Sequence, residues 1–172
     1  MKCIILAGGW GSRLGQLSES VPKPMIKIGD KPILWHIMKI YSFYGINDFI
    51  IALGVKGDVI KDYFYNFEVW DNDFTVDLSS GSVDYHKKQN ECDWKVTLVD
   101  TGLNTLKGGR IKKIESYLLD DINVVTYGDG VADINIAKLV DYHKSHGKTI
   151  TITGVNPPAR FGELIEENGP LK

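Results

Sequence analysis

The chain has 172 residues, of which 43% are apolar and 24% charged. This length and composition suit one globular domain that needs neither disulfides nor a structural metal, and they exclude a disordered or fibrous protein. Lys and Arg number 20 against 22 Asp and Glu, which gives a net charge of −2. This balance excludes a protein that binds nucleic acid through bulk positive charge.

The two cysteines, Cys3 and Cys92, are not spaced as metal ligands. Their number and spacing favour a reducing compartment and argue against a zinc site. The apolar run at the start of the chain ends at Gly8, too early for a signal peptide or a membrane helix. We therefore expect a cytoplasmic protein that has neither a membrane nor a nucleic acid as a partner.

Continuous apolar runs, typical of strands buried on both faces, alternate along the chain with segments of helical periodicity. The buried strands are predicted at 3–7, 48–53 and 122–127, a further strand at 149–154, half-buried strands at 74–78 and 94–99, and helices at 32–44, 56–67, 109–119 and 134–146. This alternation predicts an α/β fold of Rossmann-like type, with a mostly parallel sheet and helices on both faces. All 172 residues are expected to form one domain.

Two sets of residues within these helices have a plain structural explanation. The aromatic residues of IYSFYG and DYFYNF recur at helical spacing, so we expect them in the core. Lys112 and Lys113 are expected on a solvated helix face.

A glycine-rich segment follows the first predicted strand directly. Gly8, Gly9 and Gly11 allow backbone N–H groups to approach an anion closely. Arg13 follows, and Lys23 stands between two prolines; both side chains are suited to phosphate oxygens. The two cations make a plain tight turn a poor explanation of this segment.

Two other classes of glycine-rich loop do not fit. The dinucleotide fingerprint requires G-x-G-x-x-G opening a helix and an acidic residue after the second strand. Here the glycines after Gly9 stand at 11 and 15, and DFIIALG ends without an acid. The chain also lacks G-x-x-x-x-G-K-[ST], the motif of P-loop proteins.

The segment LAGGWGSRLGQLSESVPKPM resembles the signature of the sugar-1-phosphate nucleotidyltransferases, and VTLVDTG, GGR and TYGDGVAD extend the likeness along the chain. These later blocks resemble the branch that transfers a cytidylyl group from CTP to glucose 1-phosphate. The chain departs from the family pattern at Ser12, where Thr is usual, and at the bulky Trp10. The resemblance implies an in-line attack by the sugar phosphate on the α-phosphorus of CTP, releasing pyrophosphate.

Such a reaction depends on positioning and charge neutralisation, because its nucleophile is already an anion. The resemblance implies three catalytic residues: Arg13 for the departing pyrophosphate, Lys23 for a phosphate between the substrates, and Asp129 as a ligand of Mg²⁺. Asp129 also follows a buried strand, where parallel sheets place their ligands. The implied nucleotide-binding residues are Leu6, Ala7, Gly8, Gly9, Trp10, Gly11, Ser12, Arg13, Lys23, Thr105, Arg110 and Gly128.

The last stretch, 156–172, is expected to be incomplete, because the family carries a Glu-Lys-Pro motif and a second metal-binding Asp further along its chain. We therefore expect this chain to hold the nucleotide half of the site and to have little activity alone. Uncovered sheet edges and apolar surface also predict a homo-oligomer. Three alternatives stay open: a nucleotide-binding regulatory module, a nucleotidyltransferase that uses a different nucleoside triphosphate or sugar phosphate, and a Rossmann-type oxidoreductase.

Overall fold

A computed structural model describes residues 1–10, 21–86, 93–118 and 122–155. The chain divides into two compact units, residues 1–136 and residues 137–172. They are described separately below, and the expectation of a single domain stays a prediction. Among the described residues, no helix is both long and apolar enough to cross a membrane.

The first unit is built on a four-stranded parallel sheet, as the sequence predicts. Its elements, in chain order, are β1 (Lys2–Ala7), β2 (Lys27–Ile28), β3 (Lys31–Pro32), α1 (Ile33–Phe43), β4 (Asp48–Leu53), α2 (Gly57–Tyr65), α3 (Phe67–Asp71), β5 (Asp73–Asp77), β6 (Ser82–His86), β7 (Lys95–Asp100), α4 (Lys107–Lys113) and β8 (Asn123–Tyr127). The strand order in the sheet is β7-β4-β1-β8. The predicted Rossmann-like fold is therefore confirmed.

The core of this unit lies on the two central strands. In β1, Cys3, Ile4 and Ile5 are buried, and β4 is buried from Phe49 to Leu53. A strand flanked by partners on both sides and covered on both faces needs apolar residues at successive positions. This requirement explains why the continuous apolar runs predict both strands well.

Helix α1 follows the prediction closely. Pro32 precedes its first residue with an extended backbone, and Gly45 follows its end with a φ of +77°. Leu34, Ile37 and Met38 are buried, and their spacing places them on one face of the helix. The predicted helix at 56–67 is instead two helices, α2 and α3, separated at Asn66.

Strand β5 agrees with the prediction at 74–78, and its partner β6 was not predicted. The two form an antiparallel hairpin separate from the main sheet, with Phe74 opposite Tyr85 and Val76 opposite Val83. All the residues of β5 are exposed, so the hairpin lacks the burial that makes a strand visible in a hydropathy pattern.

The aromatic residues of the first two predicted helices are only partly in the interior. Tyr63, Phe64 and Phe67 pack on one another, and the Phe67 ring lies 6.4 Å from that of Trp94. Phe43 and Tyr65 are instead exposed, at 83% and 90% of their surface. For these two residues the expectation of a core position was wrong.

The helix predicted at 109–119 begins earlier and ends earlier. Helix α4 starts at Lys107 and ends at Lys113, and a single 3₁₀ turn, Glu115–Tyr117, follows it. Lys107 and Gly108 therefore lie inside the first turn of the helix rather than before it. Glycine has a low helix propensity, which is why the sequence pattern places the start too late.

The second unit contains helix α5 (Ile136–His146) apart from its first residue. Beyond it, Thr151 Oγ1 lies 2.8 Å from both His143 Nδ1 and His146 Nε2. The strand predicted at 149–154 is wrong, since residues 149–155 carry no strand. Ile150 and Ile152 are 71% and 85% exposed, and a strand is stable only when its backbone groups are paired.

Candidate functional site

The strand order creates a crevice at one edge of the main sheet. Along the chain, the sheet grows in one direction from β1 through β4 to β7, and then β8 is added on the other side of β1. The order therefore reverses between β1 and β8, and open α/β sheets bind their ligands at the carboxyl ends of the strands at such a point. Ala7 and Tyr127, the last residues of these two strands, are at this edge.

A cavity of about 380 Å³ lies at this reversal, within the size range of small-molecule sites. Its lining comprises residues 6–10 from the end of β1, Lys23 and Pro24, the loop 103–107 with Arg110, and Tyr127 and Asp129 after β8. The structure therefore brings together most of the predicted site. Trp10, the unexplained departure from the family pattern, lies in this lining and is 64% exposed.

Three of the predicted residues, Gly11, Ser12 and Arg13, lie outside the described residues. Their roles remain predictions.

A second groove, larger at about 1110 Å³, lies between α2 and β7. It is lined by apolar side chains such as Phe64 and Val96, with the acidic Asp58 and Asp62 and one cation, Lys61. Two carboxylates beside one ammonium are a poor environment for phosphate. We therefore take the smaller cavity as the functional site.

Lys23 is positioned by the prolines on either side of it. The segment Lys23–Met25 forms a 3₁₀ turn after Pro22, and Pro24 is buried. A Cβ atom at Gly128 would lie 2.9 Å from Pro24 Cγ, so this close packing requires a glycine after β8. The contact brings Lys23 Nζ to 3.9 Å from Asp129 Oδ2. Gly128 thus helps to hold Asp129 beside Lys23. Its backbone N–H donates to Leu6 O at 3.0 Å.

The side chain of Arg110 is buried, with 5% of the residue exposed. Its Nη1 donates to Leu53 O at 2.8 Å, Thr101 Oγ1 at 2.6 Å and Gly102 O at 2.9 Å. Its Nη2 donates to Gly8 O at 2.8 Å and Leu103 O at 3.2 Å. One guanidinium therefore joins the residues that follow or end β1, β4 and β7.

These contacts give Arg110 a structural role beside the predicted nucleotide-binding one, which stays a prediction. Although it lines the cavity, both of its terminal nitrogens already donate to protein oxygens. Burial lowers the pKa of Arg110, and the nearby Asp100 opposes that effect; the guanidinium nevertheless stays charged, because arginine is not deprotonated in proteins. Arg110 thus fixes the backbone around the cavity.

The glycines beside Arg110 make room for its guanidinium. A Cβ atom at Gly8 would lie 2.3 Å from Arg110 Cζ, and one at Gly54 would lie 2.6 Å from Arg110 Nη1. A Cβ atom at Gly9 would have no other atom within 4 Å. Gly8 is therefore required by packing on Arg110, which adds a structural reason to the predicted phosphate-binding one.

Thr105 lies in the cavity lining, where the sequence places a hydroxyl. Its Oγ1 lies 3.3 Å from Lys113 Nζ, which also donates to Thr101 O at 2.9 Å. Lys113 is exposed, as expected of a solvated helix face, and its ammonium in addition contacts the loop that precedes the helix. Lys112 also lies on that face, where its ammonium pairs with Glu115 at 2.6 Å.

The model of the family described as "Nucleotidyl transferase" matches residues 2–169 of this sequence. The chain belongs to that family. This match covers both the glycine-rich segment and the strand that precedes Asp129, so the resemblance seen in the sequence is confirmed.

Two curated relatives of this nucleotidyl transferase are glucose-1-phosphate cytidylyltransferases. The protein of Salmonella typhimurium is 52% identical and that of Salmonella typhi 50% identical, over all of this chain and 67% of each relative. The chain thus spans about two thirds of the length of the curated relatives it matches. Among solved structures, HddC from Yersinia pseudotuberculosis complexed with GMP-PN matches with a TM-score of 0.60 and 27% identity, over 83% of this chain and 53% of that one.

Lys107 and Tyr127 are among the lining residues of this nucleotidyl transferase site that were not predicted. Lys107 Nζ lies 5.2 Å from the centroid of the Tyr127 ring. Tyr127 is the last residue of β8 and Lys107 is the first of α4. The sequence signal that could have found Tyr127 is its position two residues before Asp129 on the same strand end.

Asp129 suits a magnesium ion that is shared with a phosphate ligand. Its side chain is 43% exposed and lies beside the cavity, between two glycines. Mg²⁺ keeps several waters and is held by one or two carboxylates together with substrate phosphates. Within the described ranges, no group of three or more His, Cys, Asp or Glu residues could hold a metal ion.

Proposed function

We propose that this chain is the nucleotide-binding part of a glucose-1-phosphate cytidylyltransferase, which converts CTP and glucose 1-phosphate to CDP-glucose and pyrophosphate. The observation that carries the proposal is the cavity at the β1–β8 reversal, where Lys23 and Asp129 meet. The choice of CTP and glucose 1-phosphate rests on the relatives that are 50% and 52% identical. The family match favours nucleotidyl transfer over hydride transfer.

In this reaction a phosphate oxygen of glucose 1-phosphate attacks the α-phosphorus of CTP as the bond to the departing pyrophosphate breaks. No general base is required, because the attacking oxygen is already ionised. The barrier arises from bringing two polyanions together, and preorganised cations lower it. Lys23 supplies one such charge at the cavity, and Arg13 is proposed to supply another for the pyrophosphate.

Asp129 would hold Mg²⁺ in the complex. A bound Mg²⁺ neutralises charge on the phosphates it bridges. Asp129 contributes the carboxylate, and Gly128 keeps it beside Lys23 through the packing on Pro24.

The base is proposed to lie near the loop 103–107. Cytosine carries an amino donor and two acceptors, and the loop offers the Thr105 hydroxyl and backbone groups. Arg110 binds Gly8 O and Leu103 O, so it holds in place the backbone that would surround the nucleotide. Sites with fixed polar groups discriminate strongly against analogues that leave those groups unpaired.

Isothermal titration tests the proposal directly. CTP, UTP, dTTP and NAD are compared in Mg²⁺, and CTP is expected to bind most tightly. NAD binding more tightly than CTP would contradict nucleotidyl transfer. Pyrophosphate release from CTP and glucose 1-phosphate, measured on a full-length version of the protein, then separates an enzyme from a regulatory module that only binds the nucleotide.

A matched pair of variants tests the role of Asp129. Asp129→Asn is expected to remove most of the Mg²⁺ dependence of CTP binding, because it removes the charged ligand. Asp133→Asn, at an exposed position outside the cavity, is expected to leave that dependence intact. An equal effect of both variants would assign the metal to another group.

We also propose that the chain forms a homo-oligomer, on the grounds of its exposed apolar side chains. Phe43, Trp70 and Leu78 are 83%, 73% and 91% exposed. Exposed apolar surface of this kind is common at contacts between protein chains. Sedimentation of the purified chain tests this expectation, and a monomer at micromolar concentration would contradict it.

A further inference from the structure

Lys107 lines the candidate cavity beside an aromatic ring. Its ammonium lies 5.2 Å from the centroid of Tyr127, within the range of a cation–π contact. At an exposed position such a contact is weak. The ring therefore holds the ammonium at the cavity without neutralising its charge.

The three cationic side chains in the described part of the cavity lining differ in the groups that compensate their charge. Arg110 donates to four backbone carbonyls and one hydroxyl. Lys23 lies beside the Asp129 carboxylate. For Lys107, the described part of the chain offers no carboxylate within ion-pair distance, and the Tyr127 ring is its partner. Of the three positive charges, that of Lys107 is therefore the least compensated by the protein and the most available to bind an anion.

We propose that Lys107 is a ligand for a phosphoryl group of the substrates, in addition to Lys23. The inference rests on the proposed nucleotidyl transfer, which brings CTP and glucose 1-phosphate to this cavity. A hydrogen bond from an ammonium to a phosphate oxygen contributes more than the ring contact it replaces. The four-carbon side chain lets the ammonium move from the ring to the ligand while α4 stays in place.

Isothermal titration of three variants tests this role, each with CTP and with glucose 1-phosphate in Mg²⁺. Lys107→Met removes the charge and keeps a long apolar side chain, and Lys107→Arg keeps the charge. Lys112→Met is the matched control, because Lys112 is on the same helix, is exposed and pairs with Glu115 outside the cavity. We expect Lys107→Met to weaken binding of one of the two ligands roughly tenfold. Lys107→Arg and Lys112→Met are expected to stay near the wild-type affinity.

The pattern of losses identifies the phosphoryl group. Weaker binding of CTP alone assigns Lys107 to the nucleotide phosphates, and weaker binding of glucose 1-phosphate alone assigns it to the sugar phosphate. The loss for CTP should shrink at high salt and should be absent with cytidine, which has no phosphate. Unchanged binding of both phosphate ligands, or an equal loss with cytidine, overturns the inference.

Two controls keep the inference separate from the proposed function and from stability. Wild-type protein that binds neither CTP nor glucose 1-phosphate overturns the proposed function, and the inference with it, before any variant is compared. Wild-type protein that binds CTP, together with an unaffected Lys107→Met variant, overturns the inference alone. The unfolding midpoints of Lys107→Met and Lys112→Met should agree, since both replace exposed side chains.

Discussion

Lys23 Nζ lies 3.9 Å from Asp129 Oδ2, although Lys23 follows β1 and Asp129 follows β8. This separation is too long for a hydrogen bond. The ammonium can therefore donate to a phosphate, and the carboxylate can bind a cation, without first breaking a direct bond. The pair is suited to holding a phosphate and its metal ion side by side.

Lys23→Met should weaken CTP binding roughly tenfold, because it removes one charge-assisted contact to phosphate. In pyrophosphate release by a full-length version of the protein the loss should be greater, on the order of a hundredfold, because the charge also stabilises the transition state. The thermal unfolding midpoint should barely change. Lys27→Met, at an exposed position in β2, is the control. A Lys23→Met variant with a lower unfolding midpoint but an unchanged affinity for CTP would show that Lys23 is a structural residue.

A comparison of Gly8→Ala with Gly9→Ala tests whether packing on Arg110 requires a glycine at position 8. The new methyl group at Gly8 would lie 2.3 Å from Arg110 Cζ, and at Gly9 no atom lies within 4 Å. We expect Gly8→Ala to lower the free energy of unfolding by about 1–3 kcal/mol, the usual effect of overpacking. Gly9→Ala should cost much less. Urea denaturation measures both, and equal losses would remove Arg110 as the cause.

Arg110→Met should lower the free energy of unfolding by on the order of 3 kcal/mol, because it removes a charged donor from several buried oxygens. Arg110→Lys should recover only part of the loss, since an ammonium cannot reproduce the planar arrangement of donors. Lys112→Met, which removes an exposed charge from the same helix, should change stability by less than about 0.5 kcal/mol. If Arg110→Met were as stable as that control, the side chain would serve the ligand rather than the fold.

The turn of the β5–β6 hairpin should lose stability in acid. Hydrogen bonds from Ser79 and Ser80 lower the pKa of Asp77 from its usual 3.8 to about 2. Because the folded pKa is the lower one, this stabilisation is complete above about pH 4 and is lost as the pH falls towards 2. Carboxyl NMR titration measures the pKa directly. Ser79→Ala should raise the pKa of Asp77, whereas Thr75→Ala on the same strand should leave it unchanged.

The sequence was most informative where burial is continuous. Strand β4 was predicted with its observed bounds, Asp48–Leu53, because a strand in the middle of a parallel sheet is apolar on both faces. Lys23 and Asp129 were also placed correctly at the cavity. Their positions after buried strands, with proline or glycine on either side, point to the ligand edge of such a sheet.

The features that the sequence did not predict depend on contacts between residues that are far apart in the chain. Arg110 was expected to bind the nucleotide, and no local pattern shows that its partners follow three different strands. The strand predicted at 149–154 is not formed, because a local sequence pattern does not reveal whether a strand has a partner. The exposed strand β6 was missed for the opposite reason, since Ser82–His86 is paired without being buried.

The Arg110 contacts also bear on how the chain folds. The hydrogen bonds to Leu53 O and Gly8 O span 57 and 102 residues of sequence. Contacts of such separation require the intervening loops to close first, so they form late. An interaction that forms after the rate-limiting barrier slows unfolding and leaves the folding rate nearly unchanged. We therefore expect Arg110 to lower the unfolding rate. The strand ends of β1, β4 and β7, once assembled, then stay together longer.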